Sequence, residues 1–237
     1  MRLHHLSLPN FTAYTNASAV QHRLVTAFLA HKANPTTTPP PNPTIITFET
    51  HPVYTCGRRQ VGHVSAEQIA FLKVPIPRLG QAEFKEALRG GQTTFHGPGQ
   101  LVAYPILDLK RHNLTPRCYV NLLETAVINT CSHFGVKTQR TNHPGVWTDE
   151  MHKICALGVH LRRNVTSHGV GLNVGTDLRW FERIVACGLE GKRTTSLAEQ
   201  GVDGVGVEEV GGRFVREMEG LLEGVEGVEM AGERNSG

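Results

Sequence analysis

The chain has 237 residues, 39% hydrophobic and 19% charged, enough for one sizeable domain or two small ones with a core that needs no stapling. Its longest apolar runs, such as 101–104, fall far short of the roughly 18 residues of a membrane span. Five cysteines without CxxC spacing, and no charged-then-apolar secretion signal, argue for free thiols in a reducing compartment rather than a disulfide framework. The net charge of +3 hides an asymmetry: residues 1–201 hold 21 Lys and Arg against 12 Asp and Glu, whereas residues 202–237 hold 3 against 9. A positive body attracts acidic partners over long range. Without a Lys/Arg block, zinc-finger spacing or repeated basic-aromatic pattern, a nucleic-acid partner is not expected.

In chain order, Ala17, Val20, Leu24, Ala27 and Phe28 recur at three- and four-residue steps and predict an amphipathic helix over 11–33 with one buried stripe. Residues 33–44 (ANPTTTPPPNPT) hold too many prolines for helix or ladder and read as an exposed, semi-rigid inserted loop. A short strand at 45–48 and an extended piece over 53–59, ending in a Gly57-Arg58-Arg59 turn, mix β with α. In RGGQTTFHGPGQLVAYP at 89–105, Gly90, Gly91, Gly97, Pro98 and Gly99 surround Thr93, Phe95 and His96, and such glycine density lets backbone approach a ligand closely. A helix is expected over 115–134, with Val120, Leu123, Val127 and Cys131 on one side and Gly135 as its C-terminal cap. The pieces 143–148 and 153–161 read as a hairpin around Asp149-Glu150, and 165–174 as a third strand. Val207, Val210, Phe214, Met218 and Leu221 mark a last helical stripe, expected to fray or break where each of Gly211 and Gly212 costs about 1 kcal/mol relative to Ala. Residues 1–224 are read as a single domain, and the Gly- and Glu-rich 225–237 as disordered.

Among the thiols, Cys131 sits on a predicted buried stripe, Cys118 near the start of the same helix, and Cys56 and Cys155 in strand-like runs, where cysteine behaves as a small hydrophobe. Cys187 differs. In RIVACGLEGKRTTSL it precedes Gly188 at a break between an apolar run and a glycine-bearing turn, a place for either a cleft-facing nucleophile or a buried strand-end thiol. Nucleophilic use needs a neighbouring Lys or His cation to bring the thiol down from about 8.5. No HExxH or CxxC spacing fixes a metal site. His96 (FHGPG) and His168 (SHGVG) each precede a glycine in a Gly-rich segment, a setting for pocket lining or for a structural hydrogen bond.

Four ordered motifs carry a resemblance. RGGQTTFHGPGQLVAYPILDL at 89–109, GVW with KICALGV at 145–159, NVTSHGVGLNVGTDLRWF at 164–181, and ACG with TTSL at 186–197 are together similar to the octanoyl-(acyl-carrier-protein):protein octanoyltransferases of lipoate biosynthesis, the lipoyl(octanoyl) transferases. TFETHPVYTCGRR at 47–59 resembles the family's early strand region, so the likeness spans nearly the whole chain. It implies an α/β (α+β) fold, a mixed β-sheet with packed helices like the catalytic domain of biotin and lipoate protein ligases, the Gly-rich segments forming the acyl pocket. The family's nucleophile matches Cys187 and its site lysine Lys153. Its acyl-binding segments match Arg89, Gly90, Gly91, Gln92, Thr93, Thr94, Phe95 and His96, then Ala156, Leu157 and Gly158, then Gly169, Val170 and Gly171. One departure is Ala186, where the family usually has Pro; it frees φ in the loop that carries Cys187.

The implied activity moves an octanoyl group from acyl-carrier protein, through a cysteine thioester, to a lysine on the lipoyl domains of 2-oxo acid dehydrogenase complexes and the glycine cleavage H protein. Thioester energy would drive both steps, so no ATP, metal or resident cofactor is expected; phosphopantetheine arrives on the carrier. No nucleic-acid or membrane partner is implied. Two other readings are an ATP-dependent lipoate or biotin ligase, whose glycine motif does not normally continue as HGPGQ, and a non-catalytic carrier-binding homologue, at which only Ala186 hints. The first acidic residue is Glu49, preceded by Arg2, Arg23 and Lys32, as in a mitochondrial presequence; yet the likeness begins within the first helix and leaves almost nothing to cleave. Mitochondrial placement is expected in a eukaryote and cytoplasmic placement in a bacterium.

Overall fold

Two central strands without polar alternation decide the architecture. In the computed structural model, which describes residues 1–9, 11–184 and 191–232, Thr44–Phe48 and Gln100–Ile106 are buried at every position. A strand buried on both faces needs cover on both. Along the chain the elements run β1 (Leu3–Ser7), α1 (Tyr14–Ala33), β2 (Thr44–Phe48), β3 (Val53–Cys56), α2 (Ala66–Leu72), β4 (Glu83–Glu86), β5 (Thr94–His96), β6 (Gln100–Ile106), α3 (Pro116–His133), β7 (Val146–Trp147), β8 (His152–Arg162), β9 (Val165–Asn173), β10 (Arg193–Thr194), α4 (Val207–Leu221) and β11 (Val228–Met230).

The main sheet has the order β10-β8-β9-β6-β2-β1-β11, with β7 also paired to β8, and a smaller sheet has the order β4-β3-β5. The sheet is mixed: β1 runs parallel to β2 and β11, and β8 parallel to β10, while β2, β6, β9 and β8 pair antiparallel in turn. Strand period places Ile45, Leu101 and Ala103 against α3 and α4, in a cluster with Leu123, Val127, Phe214 and Met218. The alternate residues Ile46, Val102 and Tyr104 meet Ala17, Val20 and Phe28 of α1. Each fully buried Leu, Ile or Phe contributes about 1.5–3 kcal/mol, so both helical layers are held by the same two strands. A third cluster, with Tyr54, Leu72, Phe95 and Trp180, joins the small sheet to α2 and to the 3-10 turn at Leu178–Arg183.

Helix α3 starts and stops as its sequence predicts. Thr115 Oγ1 accepts from the Cys118 N–H, Pro116 opens the first turn, and Gly135 follows the helix at φ +79°. The hairpin of β7 and β8 and the third strand β9 also lie where expected.

Other expectations are corrected. Helix α1 begins at Tyr14, not Phe11, and Ala27 is exposed while Gln21 is buried, because a step of about 100° per residue turns position 27 off the face held by Phe28. Helix α4 runs unbroken through Gly211-Gly212. A Cβ at 211 would sit 3.2 Å from Leu101 Cδ1 and 3.5 Å from Thr47 Cβ, so glycine there lets the helix close on the sheet, and burial of Val210, Phe214, Val215 and Met218 outweighs its poor propensity. Residues 225–232 are not disordered: β11 adds in parallel to β1, Leu3 opposite Val228, and Ala231 N–H donates to His5 O at 2.8 Å. Strand addition is held by backbone hydrogen bonds and needs few apolar side chains, which is why composition misread it. Positions 233–237 lie outside the described residues. Cys118 is exposed rather than packed, on the first turn of α3 ahead of the stripe that starts at Tyr119, whereas Cys56, Cys131 and Cys155 are buried. No helix among the described residues is long and apolar enough to cross a membrane.

Candidate active site

Strands β8 and β9 pair Ala156 with Gly171 and Gly158 with Gly169. Paired residues share a sheet face, so this stretch carries nothing larger than a methyl on that face. The space is used by the glycine-rich segment ahead of β6. A Cβ at Gly158 would lie 3.0 Å from Arg89 Cδ and Gly90 O, and one at Gly171 would lie 3.1 Å from Gln100 Oε1 and 3.3 Å from His96 Nδ1. Between the two walls lies a cleft of about 390 Å³, its open mouth included, lined by Arg89, Gly91, Gln92, Thr94, His96 and Tyr104 opposite 156–158 and 169–171.

Eleven of the residues expected to bind the acyl group therefore meet in one cleft. Three do not line it. Gly90 borders the wider cavity next door, and the Thr93 hydroxyl donates to Gln60 Oε1 at 3.0 Å. Phe95 is turned into the third core cluster, stacked on Trp180 at 4.9 Å; Thr94 and His96 face the cleft, so strand alternation sends Phe95 the other way.

Arg89 is a clamp for this wall. Its Nε and Nη2 donate to Thr55 Oγ1 at 3.2 and 2.8 Å, and Nη1 donates to Gly90 O at 3.0 Å and Gln92 O at 2.8 Å. The planar fork thereby ties the 89–92 turn to β3. His96 Nδ1 lies 2.6 Å from Gln100 Oε1, while Gln100 Nε2 donates to Phe95 O at 3.2 Å and Asn173 Oδ1 at 2.8 Å. With the amide nitrogen committed to two acceptors, Gln100 presents oxygen to the ring, so Nδ1 carries the hydrogen and Nε2 keeps a lone pair. Burial, and then the Arg89 charge, push the His96 ring down to about 4. The same two causes, in the same order, push His168 down to about 3. Both imidazoles are neutral at ordinary pH.

Lys153 is buried near the start of β8, with Nζ donating to Pro144 O at 3.0 Å and lying 4.5 Å from the Trp147 ring centroid. Both contacts suit an ammonium, since a carbonyl accepts one N–H and the π face attracts positive charge. The turn that supplies them is fixed from α3: Glu124, buried, accepts from Gly145 N–H at 3.1 Å and pairs with Arg140 Nε at 3.0 Å. Lys153 stands where cavities meet. It lines a small pocket with Thr94, Gln100, Ala156, Asn173, Ile184 and Thr194, and a wider one of about 360 Å³ with Arg59, Gly91, Val120, His143 and Leu157. Each shares lining residues with the glycine-floored cleft.

Cys187 and Ala186 lie outside the described residues. On either side of them, Ile184 and Thr194 line the small pocket with Lys153. Thr194 pairs with Lys153 across β10 and β8, and Thr195 N–H donates to Lys153 O at 2.9 Å. Of the other thiols, burial raises Cys56, pushes Cys131 up to about 12 and takes Cys155 well above its ordinary value. Cys118 is lowered, first by the Thr115 hydroxyl, but it does not line the cleft.

Three contributors were not foreseen from the sequence. Glu124 is a carboxylate inside the apolar stripe of α3, which is a usable signal. Tyr104 shares the cleft with His96 but lies in a strand whose every residue is buried. Pro144 acts through its backbone carbonyl, which leaves no mark on residue type.

The lipoyl protein ligase A/B catalytic domain family matches residues 13–219. A bipartite lipoate protein ligase from Thermoplasma acidophilum, described with its E2 lipoyl domain, aligns with a TM-score of 0.64 over 97% of this chain and 85% of that one at 15% identity; at that identity it speaks for the fold alone. A Schizosaccharomyces pombe protein named probable octanoyltransferase is 52% identical over 191 residues, 80% of this chain and 82% of its own. A Danio rerio protein named octanoyl-(acyl-carrier-protein):protein N-octanoyltransferase, mitochondrial, is 42% identical over 188 residues, 79% and 78% of the two chains. The mixed sheet and its helical cover are the fold of the lipoate protein ligases, and the family match over 13–219 makes the chain a lipoyl protein ligase A/B catalytic domain. Within that class, the chain belongs to the octanoyltransferase family.

Proposed function

We propose that the protein transfers an octanoyl group from acyl-carrier protein to a lysine of a lipoyl domain, the first step of lipoate biosynthesis, through a thioester on Cys187. The observation that carries the reading is Lys153, its ammonium fixed by Pro144 O and Trp147 where the glycine-floored cleft meets two further cavities, on a strand paired to Thr194 downstream of Cys187. In the first step Lys153 holds the proton given up by the Cys187 thiol, and the thiolate attacks the octanoyl carbonyl. The new C–S bond to Cys187 forms as the C–S bond to phosphopantetheine breaks, and the departing thiolate takes the proton from Lys153. In the second step the neutral amine of the acceptor lysine attacks the enzyme thioester, a C–N bond replaces C–S, and the excess proton returns to Lys153. Cys187 is left as thiolate, ready for the next carrier.

The glycines of the floor let the 89–100 segment close down on it and leave a narrow cleft with no bulky side chain on its floor, which supports an extended alkyl chain as its occupant. The names of the relatives support the donor and, in a eukaryote, the mitochondrial compartment; the cytoplasm is the counterpart in a bacterium. Intact-mass spectrometry after mixing the protein with octanoylated carrier should show one octanoyl adduct, discharged as an amide when a lipoyl domain is added. Transfer to the lipoyl domain only when free octanoate and ATP are supplied would defeat the reading in favour of a ligase.

A further inference from the structure

Behind the acyl cleft, four buried polar atoms have no hydrogen-bond partner of good geometry among the described residues: Tyr14 Oη, His96 Nε2, Tyr104 Oη and His168 Nδ1. Buried polar atoms are rarely left so in native proteins, and these four form one cluster. Tyr14 stacks on His96 with ring centroids 6.2 Å apart and planes 10° apart, and Tyr104 meets His168 edge-on at 5.2 Å. The Tyr14 and Tyr104 hydroxyls lie near enough for a weak hydrogen bond to each other, and Tyr14 has Ser18 within reach as well, so His96 Nε2 and His168 Nδ1 are the two atoms that nothing among the described residues approaches for a bond. All four residues are exposed by 6% or less.

The chemistry of the cluster selects its guest. His96 Nε2 can only accept, because Nδ1 already donates to Gln100. The two hydroxyls can donate or accept. A small, neutral molecule that does both fits, and an alkyl tail satisfies none of the four. Water is the guest that several convergent buried polar groups hold. A way in exists from the far side, where a cavity between α1 and the sheet is lined by Tyr14, Gln21, His22, His160 and His168.

Position gives the cluster a role. Lys153 marks one end of the cleft system; His96 and Tyr104 line the other part, and Tyr104 follows Ala103, which lies opposite Val170. From Lys153 to Ala156, which pairs with Gly171 beside His96, the strand rises about 10 Å, close to the length of an extended eight-carbon chain; Tyr104 lies further on, level with Gly169 and Gly158. We propose that Tyr14, His96, Tyr104 and His168 form a water-holding chamber that closes the far end of the acyl cleft and sets chain length. An octanoyl tail stops at this wet wall, while a longer tail has to strip water from four polar atoms. The inference rests on the acyl-transfer reading above.

The test compares octanoyl and decanoyl carriers for wild type, Tyr14→Phe, Tyr104→Phe and the double variant, which keep the rings and remove only hydroxyls. Each methylene moved onto an apolar wall is worth about fourfold, so for the two extra methylenes the double variant should raise the decanoyl-to-octanoyl ratio of kcat/KM about 15-fold. A ratio within twofold of wild type, or equal losses on both donors, would overturn the proposal; the latter is what a purely structural role predicts. Thermal melting gives a second reading. Tyr104→Phe should lower the melting temperature if its hydroxyl binds water, whereas a rise would show a dry, unsatisfied hydroxyl and overturn the chamber. Failure of wild type to take octanoate from the carrier would sink the functional reading itself, and normal octanoyl transfer with unchanged length preference would sink this inference alone.

Discussion

Glu124→Ala tests how the lysine is positioned. The Glu124 side chain is 8% exposed and its partner Arg140 43% exposed. Alanine would leave the buried Gly145 N–H without its acceptor, worth about 1–3 kcal/mol. The ion pair adds less than about 1 kcal/mol because solvent reaches Arg140. Together these predict a loss of about 2–3 kcal/mol in urea unfolding. Gly145 follows the Pro144 carbonyl that receives Lys153 Nζ, so formation of the acyl-enzyme should slow as well, with kcat falling more than KM changes. Glu124→Gln retains an oxygen for Gly145 and gives up only the charge, so it should recover most of both effects. Stability of the alanine variant within about 0.5 kcal/mol of wild type, or glutamine as damaging as alanine, would refute the argument.

Three further outcomes follow from the geometry. Gly171→Ala puts a methyl 3.1 Å from Gln100 Oε1 and 3.3 Å from His96 Nδ1, so acyl-enzyme formation should drop about tenfold or more and stability by about 1–3 kcal/mol; unchanged rates in stopped-flow acylation would mean that the chain does not lie on this face. His96, pushed down to about 4, and His168, pushed down to about 3, stay neutral in the fold, while the unfolded chain takes up protons below about 6.5. Unfolding therefore binds protons, and stability should fall as pH drops from 6.5 toward 4, by about 3 kcal/mol from His96 alone at about 1.4 kcal/mol per pH unit. His168→Asn, which tolerates the +56° φ at this position, should flatten that decline in denaturation curves at pH 7 and 4.5; an unchanged decline would remove His168 as a source. The excess of 21 basic over 12 acidic residues in positions 1–201 predicts slower association with an acidic carrier as salt rises, and an association rate indifferent to ionic strength would exclude steering.

How much of this was legible in the sequence depended on what each residue contributes. Long periodic segments declared themselves: α3, expected over 115–134 with Gly135 as its stop, and strands β8 and β9 lay where pattern placed them. One wall of the cleft was legible from the glycine density of 90–99, whereas the opposite wall, 156–158 and 169–171, came only from the family resemblance. Short elements such as β1 and α2 were not, since five and seven residues give too little periodicity to read. Strand β11 was missed because backbone pairing with β1 holds it, and the unbroken α4 because Gly211 trades propensity for approach to Leu101 and Thr47. Side-chain direction was the other limit. Nothing in the motif itself says that Phe95 turns to Trp180, that Pro144 lends a carbonyl to Lys153, or that Tyr14 comes from the first helix to stack on His96.

The identity of the acyl-bearing atom is tested most directly by intact-mass spectrometry of three proteins, wild type, Cys187→Ala and Cys118→Ala, each mixed with octanoylated carrier. Wild type and Cys118→Ala should each gain one octanoyl group, and Cys187→Ala none. An adduct of undiminished yield on Cys187→Ala would contradict the account, because the acyl group would then be travelling by another route.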